Sequence, residues 1–169
     1  MGQCMANSVL RIRLGRSADA RAVSVLVRRL TRRWILPEQT HEAGVALLSR
    51  QGAAAQRMRM AEGHRFHLAW LGDVLVGVAT MRDDGHLTQL FVGTRYQGRG
   101  IARRLWRRAM ADAVRRAGTR RFTLNASRCA LPAYRRLGFV ATGPERLSPS
   151  GVLTTPMELK RARARSQKA

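Results

Sequence analysis

The pattern of apolar and polar positions changes period once, sharply, between Leu90 and Ala117. Leu90-Phe91-Val92 is an apolar run suited to a buried strand. Gly93-Thr94 ends it, and Gln97-Gly98-Arg99-Gly100 is a glycine-rich turn. From there Ile101, Ala102, Leu105, Trp106, Ala109, Met110, Ala113, Val114 and Ala117 recur at spacings of three and four. That spacing predicts an amphipathic helix, with Arg99, Arg103, Arg104, Arg107, Arg108, Arg115 and Arg116 over most of its other side. The predicted order is strand, glycine turn, helix.

The rest of the chain is organised around this unit. Leu10 to Leu14 alternates and predicts a first strand; Ser17 stands where an N-cap would, before a helix reaching about Trp34. Pro37 to Arg50 and Ala53 to Glu62 read as helices separated by Gln51-Gly52. Arg65–Leu71, Val74–Met81 and His86–Val92 read as strands joined at Gly72-Asp73 and Asp83-Asp84-Gly85, an antiparallel meander. Ala117-Gly118 ends the long helix. Arg121–Ala126 is strand-like and follows a crossover helix, so it should lie parallel to Leu87–Val92. Phe139–Thr142 and Val152–Leu159 complete the strands. The expected organisation is a single domain over 1–169, with flexible tails at 1–8 and 161–169.

The strand–turn–helix unit permits specific chemistry. A helix start leaves backbone N–H groups unpaired and carries partial positive charge. Glycines let a phosphate approach those N–H groups closely. The stretch reads as a cradle for a pyrophosphate or, more plainly, as a tight turn. It lacks the Gly-Lys-Ser/Thr of a phosphate loop and the three spaced glycines of a dinucleotide fingerprint. Ligands favour crevices at strand carboxyl ends where such a sheet parts, which is where the glycine turn and Ser127 would both sit.

Composition narrows the partners. The chain has 169 residues, 45% of them hydrophobic, enough for one real core. Two cysteines, Cys4 and Cys129, make no disulfide framework and suit a reducing cytoplasm. The N-terminal stretch meets charge by Arg11, against a signal peptide or membrane span. The formal net charge is +22, and all but Lys160 and Lys168 of the 32 cationic residues are arginines. Either a polyanion such as nucleic acid is a partner, or the arginines reflect genome composition and are solvated. Their spread along the chain, with aromatics at only 5%, favours the second reading. Even so, the charge favours anionic ligands and disfavours a polycationic substrate. The four histidines form no metal set; His64 and His67 are close in sequence but have no third ligand.

Gln97, Gly100 and Ala102, placed just after the strand ending in Val92, resemble the acetyl-coenzyme A loop of the GNAT superfamily of N-acetyltransferases, Gln/Arg-x-x-Gly-x-Gly/Ala. The proline that family often has after the valine is Thr94 here. Further on, Ser127-x-x-Ala130-x-x-x-Tyr134-x-x-x-Gly138-Phe139 resembles the family's second signature, with Ser127 in the usual place of Asn. The resemblance is firm from Val74 to Gly138 and weak before Arg65.

It implies a mixed α/β fold: a mostly antiparallel sheet of six or seven strands, a central parallel pair splayed at the cofactor site, and about four flanking helices. It implies acetyl-coenzyme A as co-substrate, no metal, and acetyl transfer to a primary amine by direct attack in a ternary complex. The implied cofactor-binding residues are Leu90, Phe91, Val92, Gln97, Gly98, Arg99, Gly100, Ile101, Ala102, Arg103, Ser127 and Tyr134. Tyr134 is the expected general acid, since a phenol near 10 can reprotonate a thiolate of about 8.5 at small cost. A backbone N–H of Leu90 or Phe91 is the expected oxyanion donor. Where some relatives carry a glutamate base, this chain has Gln89, suited to orienting a water; His86 is the titratable alternative. The first third of the chain is expected to shape the acceptor pocket, with Glu38, His41, Glu42 and Glu62 as candidates. A homodimer is compatible with the family. The alternative class is a non-catalytic acetyl-coenzyme A sensor or a basic protein associated with nucleic acid.

Overall fold

The computed structural model describes residues 9–149 and 151–162. The tail expected at 1–8 and residues 163–169 of the tail expected at 161–169 lie outside the described residues; Arg161 is tied down, its N–H donating to the Arg120 carbonyl at 2.8 Å. The strands are β1 (Leu10–Leu14), β2 (Arg65–Leu71), β3 (Val74–Arg82), β4 (His86–Val92), β5 (Arg121–Ala126), β6 (Val140–Ala141), β7 (Arg146–Leu147) and β8 (Leu153–Lys160). The α-helices are α1 (Ala20–Leu30), α2 (His41–Ser49), α3 (Ala53–Ala61), α4 (Ile101–Ala117) and α5 (Leu131–Arg136). The eight strands form one sheet in the order β1-β2-β3-β4-β5-β8-β6, with β7 also on β8. β6 falls within the expected Phe139–Thr142, and the one strand over the expectation, β7, is a two-residue pairing with β8.

Each face of the sheet buries one helix stripe. Leu105, Trp106, Ala109 and Ala113 of α4 pack with Ala79, Met81, Leu87, Phe122 and Leu124. Val23, Leu26, Val27 and Leu30 of α1 pack on Phe66, Leu68 and Val78 from the opposite face. These are the apolar stripes that the three-and-four spacing marks, and their burial supplies most of the helices' stability. At β3 the fit to α4 is tight: a Cβ on Gly77 would sit 2.8 Å from Leu105 Cδ1 and 3.1 Å from the Phe91 carbonyl.

Three local departures from the expectation have physical causes. Ser17 does not cap α1; Ser17–Asp19 is a turn of 3-10 helix. There the Asp19 carboxylate accepts from the Arg16 N–H (2.7 Å) and pairs with Arg13 (2.8 Å). The helix expected to reach Trp34 changes hydrogen-bond register after Leu30, and Thr31–Ile35 form a π-helical turn, a widening common beside functional sites. Residues Leu36–Glu38 are 3-10, and α2 begins only at His41, capped by Thr40 Oγ1 accepting from Ala43 N–H.

The crossover through α4 makes β4 and β5 parallel, but only His86↔Thr123 and Leu87↔Leu124 pair. Beyond Leu87 the two strands part. Thr88 is the extra residue of a bulge, because Thr80 pairs with Gln89 while Met81 pairs with Leu87. The bulge re-aims the strand at the point where parallel pairing stops. From Leu90 to Val92, β4 stays paired with β3 on one edge, through Ala79↔Leu90, Val78↔Phe91 and Gly77↔Val92. Its other edge has no strand partner among the described residues.

Candidate active site

The parted strands open into a cavity of about 830 Å³. One wall is β4 from Thr88 to Val92. The floor is the loop and start of α4, with Tyr96, Gln97, Gly98, Gly100, Ile101, Ala102 and Arg103. Asn125, Ser127, Cys129, Ala133 and Tyr134 form the opposite wall. The third side comes from the first part of the chain: Leu30, Trp34 and Ile35 at the π-helical turn, then Arg50, Gln51, Arg59 and His64, with Arg82 beside them.

The loop is shaped by glycine. Gly98 and Gly100 both have φ of +75°, a left-handed conformation that L side chains rarely adopt. Nothing lies within 4 Å of a Cβ built at either position, so the space above them is open. Gly100 is the N-cap of α4 and no side chain caps this end. The first N–H groups of a seventeen-residue helix therefore face a bare, positive, open concavity. Gln97 does not point along that concavity alone: its Nε2 donates to the Val92 carbonyl at 3.0 Å, fastening the loop to the end of β4. Arg99 is outside the cavity lining, its guanidinium 5.6 Å from the Tyr96 ring centroid.

Tyr134 stands on α5, whose first turn accommodates Pro132 because the missing N–H falls where no partner is needed. Its ring meets Phe139 edge-on at 5.9 Å between centroids. Burial raises the phenol pKa above its ordinary 10, and the nearby Cys129 thiol adds to the rise. Tyr134 therefore keeps its proton across the neutral range. Cys129 is exposed, with its sulfur 3.3 Å from Ser127 Oγ.

Gln89 is buried in the cavity wall, and its Oε1 accepts from Thr80 Oγ1 at 2.9 Å. His86 does not line the cavity. It opens β4 at the closed end of the parallel pair, where it is still paired with Thr123, and its Nδ1 lies 2.8 Å from Thr123 Oγ1. Glu38 is likewise committed elsewhere: its two carboxylate oxygens accept from the N–H groups of Arg128 and Cys129 at 3.1 and 2.9 Å. It holds the start of the Ser127–Tyr134 segment in place. His41, Glu42 and Glu62 do not line the cavity either.

The residues that do line that side were not singled out as acceptor contacts from the sequence. His64 lies one residue before β2, and burial, reinforced by Arg59, lowers its pKa from the ordinary 6.5. His67, three positions later on, points to the α4 face and is 3.5 Å from Asp112. The alternation of a strand thus separates the two histidines, and among the described residues no metal-binding cluster exists. Nor is any helix of the described residues long and apolar enough to cross a membrane.

The splayed parallel pair with a glycine-capped helix at its foot defines the class. The sequence model of the acetyltransferase (GNAT) domain matches residues 36–161, and the chain belongs to that family. Solved structures agree on the fold. A GCN5-related N-acetyltransferase from Rhodopseudomonas palustris superposes with a TM-score of 0.73 at 21% identity, covering 94% of this chain and 99% of its own. The PaiA N-acetyltransferase of Thermoplasma acidophilum, solved in complex with coenzyme A, gives 0.72 at 15% identity, covering 90% and 99%. YncA of Salmonella typhimurium, solved with its cofactor acetyl-CoA, gives 0.66 at 20% identity, covering 96% and 99%. No curated protein matches the sequence.

Proposed function

We propose that the protein is an acetyl-coenzyme A-dependent N-acetyltransferase acting on a primary amine within a ternary complex. One observation carries this reading: β4 loses its β5 partner after Leu87, and the edge thus freed ends at the bare start of α4. A strand edge offers N–H and C=O groups in a row, which suits an amide-bearing arm such as pantetheine. The open, left-handed glycines suit a pyrophosphate on the α4 N–H groups. The residues present therefore fit the cofactor: Leu90, Phe91 and Val92 along the arm, and Gln97, Gly98, Gly100, Ile101, Ala102 and Arg103 at the phosphates. When bound, acetyl-coenzyme A supplies the acetyl thioester and a thiolate leaving group.

The chain's own residues do the rest. The freed edge at Leu90 and Phe91 offers an N–H to charge developing on the acetyl oxygen. Tyr134 holds a proton in reach of the leaving sulfur. Its raised pKa keeps it loaded at neutral pH, so it is the group proposed to return a proton to the expelled thiolate. The attacking amine must lose a proton. Gln89, fixed by Thr80, cannot take it and serves to orient a water or the amine itself. His64, held neutral by burial, is the titratable group on the cavity wall that replaces His86 in that role.

Calorimetric titration with acetyl-coenzyme A tests the reading. Wild type should bind, and Gly100→Trp, which fills the cradle, should not. Tyr134→Phe should keep the affinity but lose about 100-fold or more in kcat. A folded wild type that binds no acetyl-coenzyme A would overturn the proposal.

A further inference from the structure

Arginine is abundant throughout this chain, so arginines in the cavity wall are not informative by number. What singles out Arg59 is how it is held. Of the other partly buried arginines near the core, Arg13 pairs with Asp19 at 2.8 Å and Arg65 with Asp112 at 2.9 Å, while Arg28, which has no such partner among the described residues, does not line the cavity. Arg59 is partly buried too, and burial pulls its pKa down, yet no carboxylate of the described residues lies within 4.0 Å of it. Glu62 is the one acidic group that acts on it, from a distance. Its guanidinium is instead oriented by neutral acceptors: Nη2 donates to the Arg50 carbonyl at 2.7 Å, and Nη1 to Gln56 Oε1 at 3.3 Å. Gln56 is fully buried and is itself tied to the Gln51 carbonyl, through Nε2 at 3.4 Å. A guanidinium has five N–H donors, so the fork keeps donors to spare. A desolvated cation held rigidly without a counter-charge is costly unless something else supplies one.

Two further observations fall at the same place. Among the described residues no Asp or Glu lines the cavity, while Arg50, Arg82 and His64 line it together with Arg59. Of these, Arg82 is exposed and meets only Asp83, at 3.4 Å. Gln51 is 94% buried, lines the cavity, and its Oε1 has no partner among the described residues; the same holds for His64 Nδ1. This end of the cavity is built for a polar ligand that brings both an oxyanion and an N–H or O–H donor.

We infer that the acceptor is a small amine carrying an oxyanion, a carboxylate or a phosphate, and that Arg59 binds that group. This rests on the acetyltransferase reading above and adds its substrate class. A bidentate guanidinium–oxyanion contact fixes the far end of the acceptor, leaving its amine toward Gln89 and the splay. Polyamines and other dicationic amines are excluded by the same wall, which offers them no carboxylate.

The test is a steady-state panel of matched pairs. Free L-amino acids are compared with their carboxamides, and glucosamine 6-phosphate with glucosamine; spermidine serves as the polycationic control. The acidic member of at least one arm should show kcat/KM about 10-fold or more above its partner, and the arm concerned tells carboxylate from phosphate. Arg59→Met should raise KM for that acidic member about 10- to 100-fold and raise KM for its neutral partner by a much smaller factor; Arg59→Lys should restore part of the loss. If Arg59→Met does not fold, Arg59→Lys and the exposed Arg50→Met carry the comparison. Equal rates for acidic and neutral members, preference for spermidine, equal loss on both members in Arg59→Met, or no turnover across the panel would overturn the inference. Each of those results, obtained with a protein that binds acetyl-coenzyme A by calorimetry, leaves the transferase reading standing. Absence of acetyl-coenzyme A binding overturns both.

Discussion

Gln97 and Val92 are joined across the turn between strand and helix, Nε2 to carbonyl at 3.0 Å. The bond closes the five-residue gap and sets the glycine loop relative to the freed edge of β4. The side chain that the family motif marks is therefore a strut between the end of β4 and the glycine loop. Gln97→Ala should weaken acetyl-coenzyme A about 5- to 10-fold, the worth of one partly buried hydrogen bond. Calorimetry reads the affinity, and a thermal melt should show little change. A large drop in melting temperature with unchanged affinity would put the bond's value in the fold instead.

Gly77 sets how closely α4 approaches the sheet behind that edge. It pairs with Val92, and its missing Cβ is what lets Leu105 and the Phe91 carbonyl come near. Gly77→Ala must displace backbone as well as a side chain, at a cost of about 1–3 kcal/mol. For a chain of this length that lowers the melting temperature by about 2–4 °C per kcal/mol. Because Val92 moves with it, acetyl-coenzyme A affinity should fall as well, and both readouts are needed to see it.

His67 is 2% exposed and faces Asp112, which also pairs with Arg65 and Arg115. Burial holds the imidazole pKa down at about 4, against the partial support of Asp112. The unfolded chain, with an ordinary value near 6.5, then takes up a proton that the folded chain refuses. The stability involved is complete above pH 6.5 and is lost as the pH falls toward 4, by about 3 kcal/mol at most. His64 and His86, also lowered, act in the same direction. Urea unfolding of wild type and His67→Gln between pH 8 and pH 4 isolates the His67 share. The difference between them should shrink with acidity; parallel curves would remove the buried neutral histidine from the account.

Much of one half of the site was legible because it is contiguous. The apolar run at Leu90–Val92, the glycines at 98 and 100 and the stripe from Ile101 to Ala117 lie within one stretch of sequence. Strand period, left-handed turn and helix period are local properties, and the observed α4 begins and ends at the residues the pattern marks. The same holds for the meander, whose turn residues Asp83 and Asp84 both adopt positive φ, 52° and 47°. The parallel placement of β5 followed from the crossover.

The other half depended on the tertiary structure. Glu38 and His64 are equally polar in sequence, yet Glu38 caps the Arg128–Cys129 backbone while His64 faces the cavity. His86 was a reasonable titratable candidate, but the pairing of the parallel strands puts it at their closed end. Arg59 could not be told from the other arginines until its neighbours were known to be Gln56 and a carbonyl rather than a carboxylate. Period and turn chemistry are carried by neighbours in the chain, so the sequence alone determined the cradle and the helix behind it. Ion pairing, desolvation and the parting of two strands depend on residues far apart, so this wall of the cavity was decided only when the π-helical turn, α2 and α3 came against the splay.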